Sequence, residues 1–101
     1  MSFLIEYHQS VEFEVKEILD WYKEKSASAA INFMSQLKQV EKNLLKNPFS
    51  YRLVSGYGIR RIVIKKFPYK VYFSVDNRII YILAVVHFSR SNRYVRNRLK
   101  K

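Results

Sequence analysis

Apolar positions recur along this chain in two rhythms, one of about 3.6 residues and one of two, and the change comes at Ile59. Before it, Phe3, Ile5 and Tyr7 alternate, which predicts a short first strand over Phe3–Tyr7. Ser10 can then cap a helix whose early turns hold Glu12, Glu14 and Glu17, where the helix dipole favours negative charge. Val11, Val15, Ile18, Leu19 and Tyr22 fall on one face of that helix, and it should fade between Lys23 and Ser26. A second helix starts from Ser26 or Ser28 and carries Ala30, Phe33, Met34, Leu37, Val40, Leu44 and Leu45 as its apolar stripe. Asn47-Pro48 ends it, because a residue before proline is pushed out of helical geometry. The short connection makes the two helices an antiparallel hairpin.

Beyond Ile59 the segments Ile59–Lys66, Tyr69–Val75 and Arg78–His87 are rich in Val, Ile, Tyr and Phe and predict three strands. Phe67-Pro68 marks one connection and Asp76-Asn77 a tight hairpin turn. The last run is apolar on both faces, as a covered central strand requires. From Arg90 the chain is polar and basic, a short terminal helix or a tail. The order β-α-α-β-β-β gives an α+β fold, a helical hairpin packed on one face of a small, mostly antiparallel sheet, with basic strand residues lining the other. At 101 residues, with few Gly or Pro and no repeat, the expectation is one domain spanning residues 1–101.

Charge changes the picture more than composition does. Residues 1–50 hold six Lys/Arg against seven acids, whereas residues 51–101 hold thirteen against Asp76 alone, which accounts for the net charge of +11. So basic a half points to a polyanion or an acidic protein partner. There is no cysteine, hence no disulfide or thiolate metal site. The start lacks a signal-peptide pattern, and the apolar run Ile79–Val86 is too short to span a bilayer, so a soluble, cytoplasmic protein without a membrane contact is expected.

The same chain lacks most enzyme chemistries. His8 and His87 stand far apart with no metal-ligand spacing around them, so no metal and no cofactor are expected. Paired carboxylates are missing from the basic half, and Gly56 and Gly58 fit neither a dinucleotide turn nor a P-loop. What remains is a set of cations and aromatics. Arg60, Arg61, Lys65, Lys66 and Lys70 lie on two successive strands, and Arg90, Arg93, Arg96 and Arg98 follow the third. Antiparallel pairing can gather several of them on one concave face with Tyr69, Tyr72 and Tyr94, an arrangement that suits single-stranded nucleic acid or an acidic protein groove. His87 closes an apolar strand, where histidine is more often a hydrogen-bonded structural residue than a base. Trp21 falls opposite much of the core stripe of the first helix and is a candidate for an interface.

The stretch Arg60-Arg61-Ile62-Val63-Ile64-Lys65-Lys66-Phe67-Pro68-Tyr69-Lys70-Val71-Tyr72-Phe73 resembles the RR…FPY-x-[IV]-Y-[YF] segment of the RelE/ParE toxin superfamily. Ile82-Leu83-Ala84-Val85-Val86-His87-Phe88-Ser89-Arg90 is similar to that superfamily's LAV-x-H-x-x-R strand end. Ala29-Ala30-x-x-Phe33 and Asn47-Pro48 match its second helix and stop, so the resemblance covers nearly the whole chain. It implies a microbial-RNase-like fold, the toxin role in a type II toxin–antitoxin pair, growth inhibition and plasmid stabilisation. An acidic cognate antitoxin, whose C-terminal segment wraps the toxin, is the implied partner. Two activities occur in the superfamily: RelE-type members cut mRNA in the ribosomal A site, and ParE-type members poison DNA gyrase. On the first reading Arg61, Lys70 and Arg90 are the implied catalytic cations, holding phosphate and neutralising charge on the leaving side, with Arg60, Lys65, Lys66, Tyr69, Tyr72, His87, Arg93, Tyr94 and Arg96 as binding residues. The sequence departs from that pattern: Val63 replaces a cation, Lys70 stands where arginine is usual, and Tyr94 is out of step with the expected tyrosine. The long helical hairpin and Phe67-Pro68-Tyr69 look closer to the ParE branch, which makes Arg90 to Lys101 the candidate gyrase contact. A non-toxic nucleic-acid- or protein-binding module on the same scaffold is the third reading, although the glycine-aromatic pattern of an RNA-recognition motif is absent.

Overall fold

The computed structural model describes residues 2–99, so Lys100 and Lys101 of the basic C-terminal segment lie outside the described residues. Strand β1 (Leu4–Tyr7) leads into helices α1 (Gln9–Lys25) and α2 (Ala27–Lys46), a 3-10 turn (Pro48–Ser50), strands β2 (Arg60–Val63), β3 (Tyr69–Asp76) and β4 (Ile79–His87), and a 3-10 segment over Asn92–Arg98. The sheet order is β1-β4-β3-β2, with β1 parallel to β4 and the other pairs antiparallel. This is the expected α+β arrangement, with β4 in the sheet interior.

Helix α1 begins earlier than Ser10 would set it. The His8 N–H is bonded to the Ile82 carbonyl at 2.8 Å, so the chain leaves the sheet there and turns helical at once. His8 itself becomes the N-cap, its Nδ1 accepting the Ser10 N–H at 3.1 Å. We expect His8→Ala to lower stability by about 0.5–1 kcal/mol in a urea melt, and His8→Asp to retain it, because a carboxylate caps the same N–H and complements the helix dipole. Ser26 serves both helices: its N–H closes α1 on the Tyr22 carbonyl, and its hydroxyl accepts the Ala29 N–H to open α2. Asn47 ends α2 as expected and caps the following turn through Phe49 N–H.

Ala30, Phe33, Leu37, Val40 and Leu44 bury the α2 stripe against the sheet; Leu45, at its edge, stays 43% exposed. Tyr22, Phe33, Phe67 and Tyr69 form an aromatic knot with ring centroids 5.3–6.4 Å apart. Phe67 reaches it because β2 stops at Val63 and the chain turns through Lys65 and Lys66, the latter at φ 72. These two lysines are therefore turn residues and not part of a long strand. In the next hairpin the loop is Asn77-Arg78, one residue later than expected, with Asn77 at φ 58, a left-handed conformation that asparagine tolerates.

Glu41 on α2 is partly buried, and desolvation raises its carboxyl above the usual carboxylate range. A folded-state value above the unfolded one contributes stability below the unfolded pKa and loses it as pH rises through the folded one. Glu41→Gln is therefore expected to raise the Tm at neutral pH, with the gain closing below about pH 4, where the glutamate is protonated in both states. Thermal melts from acid to neutral pH check this.

The far face of the sheet corrects an expectation. It carries a second apolar cluster of Ile59, Tyr72, Leu83, Ala84, Val86 and Val95, and is not simply a basic surface. A bulge makes this cluster. Tyr72 pairs with Ala84 and Phe73 with Ile82, leaving Leu83 over, so Leu83 and Ala84 both join the far-face cluster while Ile82 and Val85 face the helices. The C-terminal 3-10 segment roofs the cluster with Val95, which is 0% exposed.

Candidate functional site

Strand parity sorts the predicted site residues before any chemistry. Ile62, Val71 and Phe73 face the helices, so Arg61 and Lys70 face away from them. Arg60 takes the helix side, where its guanidinium donates to the carbonyls of Phe49 (3.2 Å) and Tyr51 (2.6 Å) and lies over the Phe49 ring. It pins the segment after α2. Tyr69 and Tyr72 likewise part company: Tyr69 belongs to the aromatic knot, and burial pushes its hydroxyl up, while Tyr72 is fully buried in the far-face cluster. Tyr72 offers no open ring to a base, Tyr69 lines a different cleft from that of Lys70, and the shared concave face expected for these residues is not formed.

Arg61, Val63, Lys70 and Phe88 line a groove of about 250 Å³ on the far face. Lys70 sits at its base, 6% exposed, with Nζ donating to the carbonyls of Phe88 (3.1 Å) and Arg90 (2.6 Å) and lying 5.1 Å from the Tyr72 ring centroid. The Tyr72 hydroxyl donates to the same Arg90 carbonyl at 3.4 Å. Lys70 thus fastens the turn that follows β4. Arg61, partly exposed, makes no side-chain hydrogen bond or ion pair among the described residues and is the groove's available cation. No carboxylate, histidine or tyrosine lines this groove, so it lacks a group to take a proton from a ribose hydroxyl.

Arg90 meets Lys70 only through its carbonyl. Its guanidinium lies over Tyr94, 4.7 Å from the ring centroid, in a separate cleft of about 280 Å³. Tyr94 is also contacted by Arg98 at 4.8 Å, and Arg98 pairs with Glu14 at 2.7 Å and donates to the Leu83 carbonyl. The other Glu14 oxygen accepts the Val85 N–H at 3.0 Å. Beyond Tyr7, where β1 ends, this ion pair covers the edge of β4. His87 rims the same cleft, its Nδ1 accepting the Ser89 N–H and its ring edge-on to Tyr69. Arg96 lies over Tyr57, and Arg93, Lys65 and Lys66 are exposed.

The structure therefore brings Arg61 and Lys70 together and sets Arg90 apart. Sequence reasoning placed Arg98 only among the C-terminal cations and Glu14 only in the early turns of the first helix, and it missed Tyr57. Glu14 stands 84 residues from Arg98, and nothing local marks it as more than a helix-start acid. Glu17 also lines the Arg90 cleft, as does Trp21, which is 52% exposed. Among the described residues no cluster of His, Asp and Glu could hold a metal ion, and no helix is long and apolar enough to cross a membrane.

No curated protein matches the chain in sequence. A solved structure described as the chromosomal ParDE TA system from P. aeruginosa has the same fold, with a TM-score of 0.74 and 17% identity over 84% of this chain and 95% of that one. Residues 5–92 match the family model for the ParE toxin of the type II toxin-antitoxin system, parDE. That match spans most of the chain, and the protein belongs to the ParE toxin family: it is the toxin of a type II toxin–antitoxin pair, with an antitoxin as partner.

Proposed function

We propose that this toxin acts in the cytoplasm by binding DNA gyrase as a poison, and that an acidic antitoxin neutralises it by covering its basic face. The observation that carries this reading is the use of Lys70: its ammonium is buried and bonded to the Phe88 and Arg90 carbonyls, while the Arg90 guanidinium lies in another cleft. Cleaving RNA would need several cations and a base around one phosphate, and that groove is left with Arg61. Binding asks less of single residues. It needs an exposed, electrostatically complementary surface, which Arg90, Arg93 and the turn lysines Lys65 and Lys66 supply.

Purified toxin is expected to inhibit supercoiling by gyrase and to trap cleaved DNA. The double variant Arg90→Glu/Arg93→Glu should weaken inhibition roughly tenfold with an unchanged thermal melt, because these exposed charges steer association. Undiminished inhibition would remove the C-terminal segment from the contact. The unpaired Arg61 favours the ribosome-dependent endonuclease as the second reading. Arg61→Ala, with folding intact, would abolish growth inhibition only if that reading held.

A further inference from the structure

The cleft that holds the Arg90 guanidinium has features that the gyrase reading does not use. Glu17 and Trp21 are four residues apart on α1 and so stand side by side on one helix face. Both line the cleft and both are exposed. Glu17 has no hydrogen-bond or ion-pair partner among the described residues. Arg90, which lines the same cleft and rests on Tyr94, also lacks an acidic partner among the described residues. An acid and an arginine thus line one cleft without pairing, with Tyr69 and His87 also in its lining and a tryptophan beside the acid.

We infer that this cleft is a binding site for a guanine nucleotide, with the base against Trp21, its Watson–Crick edge on Glu17 and its phosphate on Arg90. Among the bases only guanine offers two adjacent N–H donors, N1–H and the N2 amine, to one carboxylate. Adenine and cytosine each place a ring-nitrogen acceptor beside their amine, which a carboxylate repels, and uracil has a single N–H between two carbonyls. Stacking on an aromatic ring holds any base, so the carboxylate sets the choice. A volume of about 280 Å³ is close to the ~300 Å³ lower end of ligand pockets and suits a single nucleotide. An arginine from a protein partner has similar donors and also stacks on tryptophan. It is disfavoured here, because the cleft's second acid, Glu14, is already paired with Arg98, while Arg90 lines the cleft and the Lys25 ammonium lies 4.9 Å from the Trp21 ring centroid, two cations that repel a third and attract a phosphate.

Trp21 is the sole tryptophan of the sequence and reports directly on the cleft. Titrating the whole toxin with GMP, excited at the red edge of tryptophan absorption, should give saturable quenching, with AMP, CMP and UMP weaker by about tenfold or more. Glu17→Gln should erase the preference for GMP over AMP while leaving the melt unchanged, since Glu17 is exposed and unpaired. A short single-stranded oligonucleotide containing one guanine, set against an all-adenine one, identifies the source. Much tighter binding than GMP assigns the site to guanine within a strand, and binding no tighter assigns it to the free nucleotide. Equal quenching by GMP and AMP, no saturable quenching, an unchanged preference in Glu17→Gln, or tighter binding of N-acetyl-arginine amide than of GMP would each overturn the inference. None of these results bears on gyrase, so the two readings fail separately.

Discussion

Replacing Glu14 by alanine is expected to cost about 2–4 kcal/mol of folding stability, a loss on the order of 10 °C or more in Tm for a chain of this size. Few side chains here have so many dependants. One carboxylate oxygen takes the Val85 N–H at the uncovered edge of β4, and the other holds Arg98, at 13% and 14% side-chain exposure for the pair. Removing the carboxylate strands a partly buried guanidinium and a backbone donor together, and both must find water or stay unpaired. Arg98→Ala should cost less, because Glu14 keeps the Val85 N–H and lies near enough to solvent to be rehydrated. The double variant should be milder than the sum of the two, with a coupling of about 1–3 kcal/mol. Urea melts of the three variants measure this. Additive losses below about 1 kcal/mol each would mean that the pair is an ordinary surface contact.

The second large effect falls on Lys70. Lys70→Met removes an ammonium that satisfies two carbonyls in a nearly dry setting, and about 2–4 kcal/mol should go with it. The loss should be local first. Without the fastening at Phe88 and Arg90, the 3-10 segment should lift Val95 from the far-face cluster, so amide exchange should rise over Asn92–Arg98 before the helices respond. Lys70→Arg keeps the charge yet should rescue little, because the larger planar guanidinium does not fit a buried site shaped around a compact ammonium. A catalytic lysine would behave differently: its methionine variant would melt like the parent and lose only activity.

Much of the fold could be read from the chain. The stripe from Ala30 to Leu44, the serine at the helical junction and the Asn47-Pro48 stop are local signals, and local chemistry decides them. The β3–β4 hairpin and the covered position of β4 followed from alternation and from apolar residues on both faces. The second core was not legible. Val95 lies among arginines and asparagines with no periodicity to mark it, and the bulge that turns both Leu83 and Ala84 to that face has no sequence signature. The cations were misplaced for a simpler reason. Arg60 and Arg61 are adjacent, and Tyr69 and Tyr72 are three apart, so on regular strands each pair must point to opposite faces. Period two already separated residues that charge alone had grouped. Glu14 and Arg98 meet only because α1 and the C-terminal segment reach the same strand edge, which no spacing along the chain encodes.

The central claim is that this toxin arrests growth through gyrase without cutting RNA. Inducing the chain in bacteria, then mapping mRNA ends on translating ribosomes and DNA breaks in the same culture, tests it most directly. The account predicts arrest with intact mRNA and gyrase-dependent breaks in DNA. Codon-phased cuts in mRNA with unbroken DNA would contradict it and return Arg61, Lys70 and Arg90 to a catalytic role.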